Sequence, residues 1–245
     1  MKRLLTATVT MFLLVLCSSA IFAQSESREG LLNEFTSKRA ELATIEKKLL
    51  LPAEEDRTAY AEFLAQPDTG LIRLLPHEVF GSPTSNKGLL AVDGGGAFYS
   101  FVLLTHEYGQ GSDILLSQGY LSVGFAGVNY GILAQASNVD LTEISVDHPS
   151  THFLANYQAA TEEPAARQEY RRFGPGITVD GVKYSSRVKA EVGMTYTLRS
   201  IDYGRSDWLV ALKVVRQDSD GSLIIVWKIL KKFPKPELAR NNSAQ

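Results

Sequence analysis

Two runs near the C-terminal end, Trp208 to Arg216 (WLVALKVVR) and Leu223 to Leu230 (LIIVWKIL), most limit what this chain can fold into. Both are almost wholly apolar, and Asp218-Ser219-Asp220-Gly221 separates them. Short apolar runs rich in β-branched residues, joined through an Asp/Gly turn, read as a β-hairpin. Neither run alternates apolar with polar. A strand that faces water on one side alternates, so both faces of this hairpin are expected to be covered. The rest of the chain must supply layers for each side.

Candidates for those layers are plentiful. Leu89 to Gln135 (LLAVDGGGAFYSFVLLTHEYGQGSDILLSQGYLSVGFAGVNYGILAQ) is cut by glycines at near-regular intervals. It predicts strands at Leu89–Val92, Ala97–His106, Asp113–Ser117, Tyr120–Phe125 and Val128–Ala134. Asp93-Gly94-Gly95-Gly96 is read as a turn. A phosphate cradle would need a helix straight after the glycines, and Ala97 to Val102 reads as strand. Leu141–Val146 is a further short candidate. Ile177–Val179 and Val182–Ser185 flank Asp180-Gly181, a favoured hairpin turn. Val188–Val192 and Met194–Ile201 complete the set.

Helical periodicity is confined to three places. Leu31, Phe35, Leu42, Ile45 and Leu49 recur at three- and four-residue spacing, and Pro52 stops the pattern. A second helix is expected over Glu54 to Gln66, with Tyr60, Phe63 and Leu64 inward. The remaining helical signal is an excursion near 150–172, with Phe153, Leu154 and Tyr157 on its apolar side. The expected fold is therefore mainly β (α+β): an antiparallel β-sandwich or partly open β-barrel of about nine to eleven strands, with an N-terminal helical arm. The chain is read as a signal peptide over 1–23, a helical arm over 24–70, one β domain over 71–233 and a disordered tail over 234–245. The arm is expected to pack on the β domain, and residues 28–50 could instead pair two copies as a coiled coil.

The first residues set the expected address. Lys2 and Arg3 precede an apolar run from Leu4 to Leu16, and small residues lead to Ala23. This is the pattern of a secretory signal cleaved after Ala23, giving a periplasmic or extracellular protein. The run is shorter than the ~20 residues a membrane span needs. Leu16 is a poor fit to the small residue that precedes a lipidated cysteine, so an anchor on Cys17 is not expected. Cys17 is the chain's single cysteine, and the export reading leaves no disulfide to form. With 25 basic against 27 acidic residues, the chain lacks the basic footprint of a nucleic-acid binder.

Motifs for chemistry are sparse. His106, Glu107 and Asp113 border one glycine-rich loop and could serve acid–base hydrolysis. His148 and His152 stand four apart and would share a helix face. With His106 they are the candidate ligands of a zinc site, and without that site no cofactor is implied. Pro149 fits between them if His148 caps the helix and the proline starts it. Asp218-x-Asp220-Gly221 has part of a calcium loop's pattern, without the distal glutamate. Arg167, Arg171 and Arg172 with Glu162, Glu163 and Glu169 read as a solvated helix face. The distinctive feature is tyrosine: Tyr99, Tyr108, Tyr120 and Tyr130 lie among bent strands, where aromatic faces could stack on a sugar or fill a partner's pocket. The leading expectation is a non-catalytic module that binds a partner protein, a glycan or a small apolar ligand. A metal-dependent hydrolase and a dimeric structural subunit are the alternatives.

Overall fold

The computed structural model describes residues 27–81, 90, 92–109, 111–125 and 127–239. The expected signal peptide and Cys17 lie outside these residues. Among the described residues no helix is long and apolar enough to cross a membrane.

The chain divides into two compact units, Met1–Ile45 and Glu46–Gln245. Helix α1 (Arg28–Leu50) supplies the described part of the first and runs into the second. Ser27 starts it, its hydroxyl accepting the Gly30 N–H at 3.0 Å. Lys47 and Lys48 face the carbonyl end of the helix, where positive charge is favoured, and Pro52 follows. The apolar stripe forms as spaced, but Leu31, Phe35, Leu42, Ile45 and Leu49 are all exposed.

In the second unit the helix expected over 54–66 is two short ones, α2 (Glu54–Ala59) and α3 (Ala61–Leu64). Tyr60 leaves helical geometry between them, at φ −107° and ψ 16°, and packs with Phe63 against the buried cluster of Ala136, Leu141, Ile144, Ala211 and Val226. Tertiary packing of two aromatic rings overrides local helix preference here. Helix α4 (His77–Phe80) is one turn.

Eleven strands then build two antiparallel sheets. They are β1 (Thr69–Leu74), β2 (Phe98–Tyr99), β3 (Ile114–Ser117), β4 (Tyr120–Ser122), β5 (Tyr130–Gln135) and β6 (Ile177–Val179). β7 (Val182–Ser185), β8 (Arg187–Lys189), β9 (Thr195–Asp202), β10 (Ser206–Gln217) and β11 (Leu223–Lys232) follow. The larger sheet runs β1-β11-β10-β9-β5-β7-β6 and the smaller β2-β3-β4-β8. Sequence order and sheet order interleave: β5 joins the larger sheet and β8 the smaller.

The covered hairpin is as its composition demands. On one face of the larger sheet, Tyr196, Leu198, Val210, Leu212, Ile225 and Trp227 pack in one cluster with Ile114, Leu116 and Leu121 of the smaller sheet. This is a sandwich core. On the other face, Ile132, Tyr184, Ile201 and Leu209 meet Leu154 of helix α5 (Pro149–Asn156) and Ala166 and Phe173 of helix α6 (Glu163–Phe173). Further along that face Ala211 of β10 and Val226 of β11 pack with Ala136, Leu141 and Ile144, so the middle of both strands is covered on both sides and has no need for alternation. Asp180 (φ 49°) and Gly181 (φ 79°) close the β6–β7 hairpin with both residues left-handed, as a type I′ turn requires.

Three expected strands turn out otherwise. Ala97–His106 is only the two residues of β2. The Ser100 N–H donates to the Thr105 carbonyl at 2.9 Å, forming a tight reversal with Leu104 at φ 54°. Two side chains fix that reversal: Ser100 Oγ accepts the Leu103 N–H at 3.1 Å, and the Asp113 carboxylate accepts the Phe101 N–H at 2.7 Å. At Leu89–Val92, the described Leu90 and Val92 are not strand. Leu141–Val146 is instead a 3-10 turn at Leu141–Glu143, started by Asp140, whose carboxylate accepts the Thr142 N–H at 2.9 Å. The Gly94-Gly95-Gly96 turn forms with all three residues left-handed and no helix after it. The tail is described to Ala239. There the Gly204 N–H donates to the Pro236 carbonyl and the Ala239 N–H to the Thr161 carbonyl.

Candidate functional site

The site grows from the hairpin β9–β10. Its turn, Tyr203-Gly204-Arg205, is closed by the Arg205 N–H to the Asp202 carbonyl at 3.0 Å. The Tyr203 N–H donates to Asn129 Oδ1 at 3.0 Å, and Asn129 Nδ2 donates to Asp202 Oδ1 at 2.6 Å. Arg205 Nη1 stands 3.6 Å from Asp202 Oδ2. Asn129 leads directly into β5, so adjacent strands of the larger sheet hold the pair in register. Gly124 seals the approach beneath: a β-carbon there would meet the Tyr130 backbone at 2.9 Å. The loop after β2 forms the opposite wall with Tyr108, Gly109, Gly111 and Ser112. Between them lies a cleft of about 460 Å³, within the usual range for a small-ligand site.

Aromatic and polar groups converge on it. Tyr108 packs on Phe98 at 4.4 Å between ring centres, and Phe98 on Phe125 at 5.3 Å. Tyr108 and Phe125 both line the cleft, as does Tyr203. Ser200 opens onto it and donates to the Asp113 carboxylate behind at 2.5 Å. Asp113 is 2% exposed and has no cation as partner among its described contacts. Burial raises its carboxyl to about 6, against the Ser200 and Phe101 hydrogen bonds that favour the ionised form. Burial also raises Asp202, against the opposing pull of Arg205 and Asn129. The Tyr203 hydroxyl, raised by burial first, donates to the Ala160 carbonyl.

The candidate tyrosines part company. Tyr108 and Tyr130 line the cleft, and the buried Tyr130 also shares its hydroxyl with Tyr157 at 2.8 Å. Tyr99 is core, its ring against Phe101, His106 and Trp227. Tyr120 stands on the smaller sheet beneath the Arg187 guanidinium, 4.0 Å from its ring centre.

Hydrogen bonds of the candidate acid–base residues run to different places. The His106 ring nitrogen meets the Arg73 carbonyl at 2.8 Å, and burial lowers its pKa. Glu107 is exposed, and Asp113 bonds to Ser200 and Phe101. His148 caps α5 with Pro149 at its start: Nδ1 accepts the Ser150 N–H at 3.2 Å and meets Ser150 Oγ at 2.8 Å. His152 is exposed one turn later. Among the described residues no three His, Cys, Asp or Glu side chains come together as a metal site. The Asp218 and Asp220 carboxylates pair with Arg73 and Arg216.

Sequence reasoning passed over Asn129, Ser200, Asp202, Tyr203 and Arg205. A signal existed in the charged turn Asp202-Tyr203-Gly204-Arg205 between two apolar strands. Comparison with family models, curated proteins and solved structures finds no match to this chain.

Proposed function

We propose that this chain is a non-catalytic binding module whose cleft takes a small hydroxylated ligand of saccharide type. One observation carries the reading. The Asn129–Asp202–Arg205 fork is held in place by the hairpin turn, and aromatic rings stand beside it. Planar amide, carboxylate and guanidinium groups give and accept hydrogen bonds at fixed angles, which suits vicinal hydroxyls. Tyr108 and Phe125 supply faces for the C–H side of a sugar ring. A wholly apolar ligand would strip water from Asp202 and Arg205 without replacing it, a cost of several kcal/mol per charge, about the whole gain from a small ligand. The expected signal sequence supports an exported setting for such a module.

Titration calorimetry with a panel of free hexoses, N-acetylhexosamines and disaccharides tests the reading. At least one is expected to bind with a Kd between about 10 μM and 10 mM, and Asp202→Ala is expected to weaken it at least tenfold, about 1.4 kcal/mol. Silence across the panel, or a bound sugar indifferent to Asp202→Ala, overturns the proposal.

A second reading, pairing of two copies through residues 28–50, is favoured by the exposed stripe of α1. It predicts a dimer mass in solution that reverts to monomer when Leu42 and Ile45 are both changed to Glu. A monomer at every concentration removes it.

A further inference from the structure

Beside the cleft the chain exposes apolar surface in a place where the backbone has to be forced to present it. The reversal after β2 leaves Leu103 56% and Leu104 63% exposed, and Tyr108 is 45% exposed. Leu104 sits at φ 54°, a left-handed conformation that disfavours residues with a β-carbon. Local hydrogen bonds hold it there: the Leu104 N–H donates to the Ser100 carbonyl at 2.9 Å and the Leu103 N–H to Ser100 Oγ at 3.1 Å. The tip is continuous with the cleft. A β-carbon on Gly111 would stand 3.2 Å from Arg205 Nη1 and 3.4 Å from Leu103 Cδ1. The guanidinium of the polar fork and the leucine tip therefore meet across one glycine.

From this continuity we infer that the natural ligand is an amphiphile: a hydroxylated head in the cleft and an alkyl chain laid over Leu103, Leu104 and the Tyr108 ring. This deepens the saccharide reading and rests on it. Three side chains fall far short of the roughly 800 Å² per partner that a stable protein interface buries. A single alkyl chain asks for far less area. A polar head alone would leave the tip in water, and a simple hydrocarbon would leave the fork unused.

The test uses the full chain and n-alkyl β-D-glucosides and β-D-maltosides from methyl to octyl, each below its micelle concentration. Affinity is expected to rise about twofold per methylene beyond butyl, roughly half the gain of a fully buried methylene. The exposed double change Leu103→Ser/Leu104→Gly is expected to flatten that slope and to leave methyl-glycoside binding within twofold. Glycine suits the left-handed position, so folding is kept.

A flat slope in the wild type, with the methyl glycosides still binding, overturns the amphiphile and leaves the saccharide reading standing. No binding by any glycoside overturns both. Equal binding of octyltrimethylammonium overturns the inference, because the head would then play no part. Sedimentation with phospholipid vesicles that depends on the two leucines, alongside a flat glycoside slope, would make a bilayer the occupant and overturn it too.

Discussion

Strand β9 presents two buried polar sites back to back, and they are built on opposite terms. Arg199 faces the helices and Ser200, its neighbour, faces the cleft, because successive strand residues point to opposite sides. Arg199 and Asp207 have side chains each 3% exposed, and they neutralise one another. Nε and Nη2 donate to the two Asp207 oxygens, each at 2.7 Å, and Nη1 donates to the Leu154 and Tyr157 carbonyls at 2.6 Å. Behind Ser200, Asp113 has neutral donors only, and burial pushes its carboxyl up to about 6. A compensated charge locks helix α5 to the sheet. An uncompensated one, beside a cleft, stays responsive to pH.

The sharpest way to break this contrast is Arg199→Met. It strands Asp207 and two carbonyls, and should cost ~3–5 kcal/mol in urea unfolding. Arg199→Met/Asp207→Leu should recover most of that loss. A single change costing under ~1 kcal/mol would mean that the pair is not structural.

Asp113 comes next. Its folded value lies above the 3.8 of an ordinary aspartate, so the native state holds its proton more tightly than the unfolded chain. The contribution is fully present below about pH 4 and is lost as pH rises through about 6. Between those limits the wild type should lose ~3 kcal/mol relative to Asp113→Asn. Parallel stability–pH curves for the two proteins would reject an unpaired carboxyl. Ser200→Ala should be milder, ~1–3 kcal/mol at pH 7, since it removes one hydrogen bond to that carboxylate. It should also move the Asp113 titration to higher pH by carbon-detected NMR. A shift downward would contradict the hydrogen-bond assignment.

Arg167→Ala calibrates the series. Its ion pair with Glu163 has the same 2.7 Å contact, but the two side chains are 48% and 49% exposed. Water and salt screen such a pair, so the expected change is under ~0.5 kcal/mol. A loss near that of Arg199→Met would show that burial is not what separates the sites.

Most of the architecture was legible because it rests on pattern. The unbroken apolar runs of β10 and β11 announced coverage on both faces. Asp180-Gly181 and Pro149 marked a hairpin and a helix start by backbone constraint alone. What escaped was decided by single side chains acting across sequence. Nothing in Ala97–His106 says that Ser100 and a distant Asp113 will fold it into a reversal. The cleft was half legible for the same reason. Tyr108 and Tyr130 stood out by composition. Asn129, Asp202 and Arg205 are ordinary residues until β5 and β9 pair.

The strand order carries a consequence for how the molecule is made. The first strand, β1, hydrogen-bonds along its whole length to the last, β11, from Thr69 opposite Lys228 to Leu74 opposite Leu223. β11 is also paired with β10, but β1 lies at the edge and has no other partner in the larger sheet. During synthesis Leu71 to Leu75 must wait unpaired until nearly every other strand exists. Such long-range closure places refolding on the millisecond-to-second scale instead of microseconds. A chain cut short before β11 would leave an exposed apolar edge ready to pair with its neighbours.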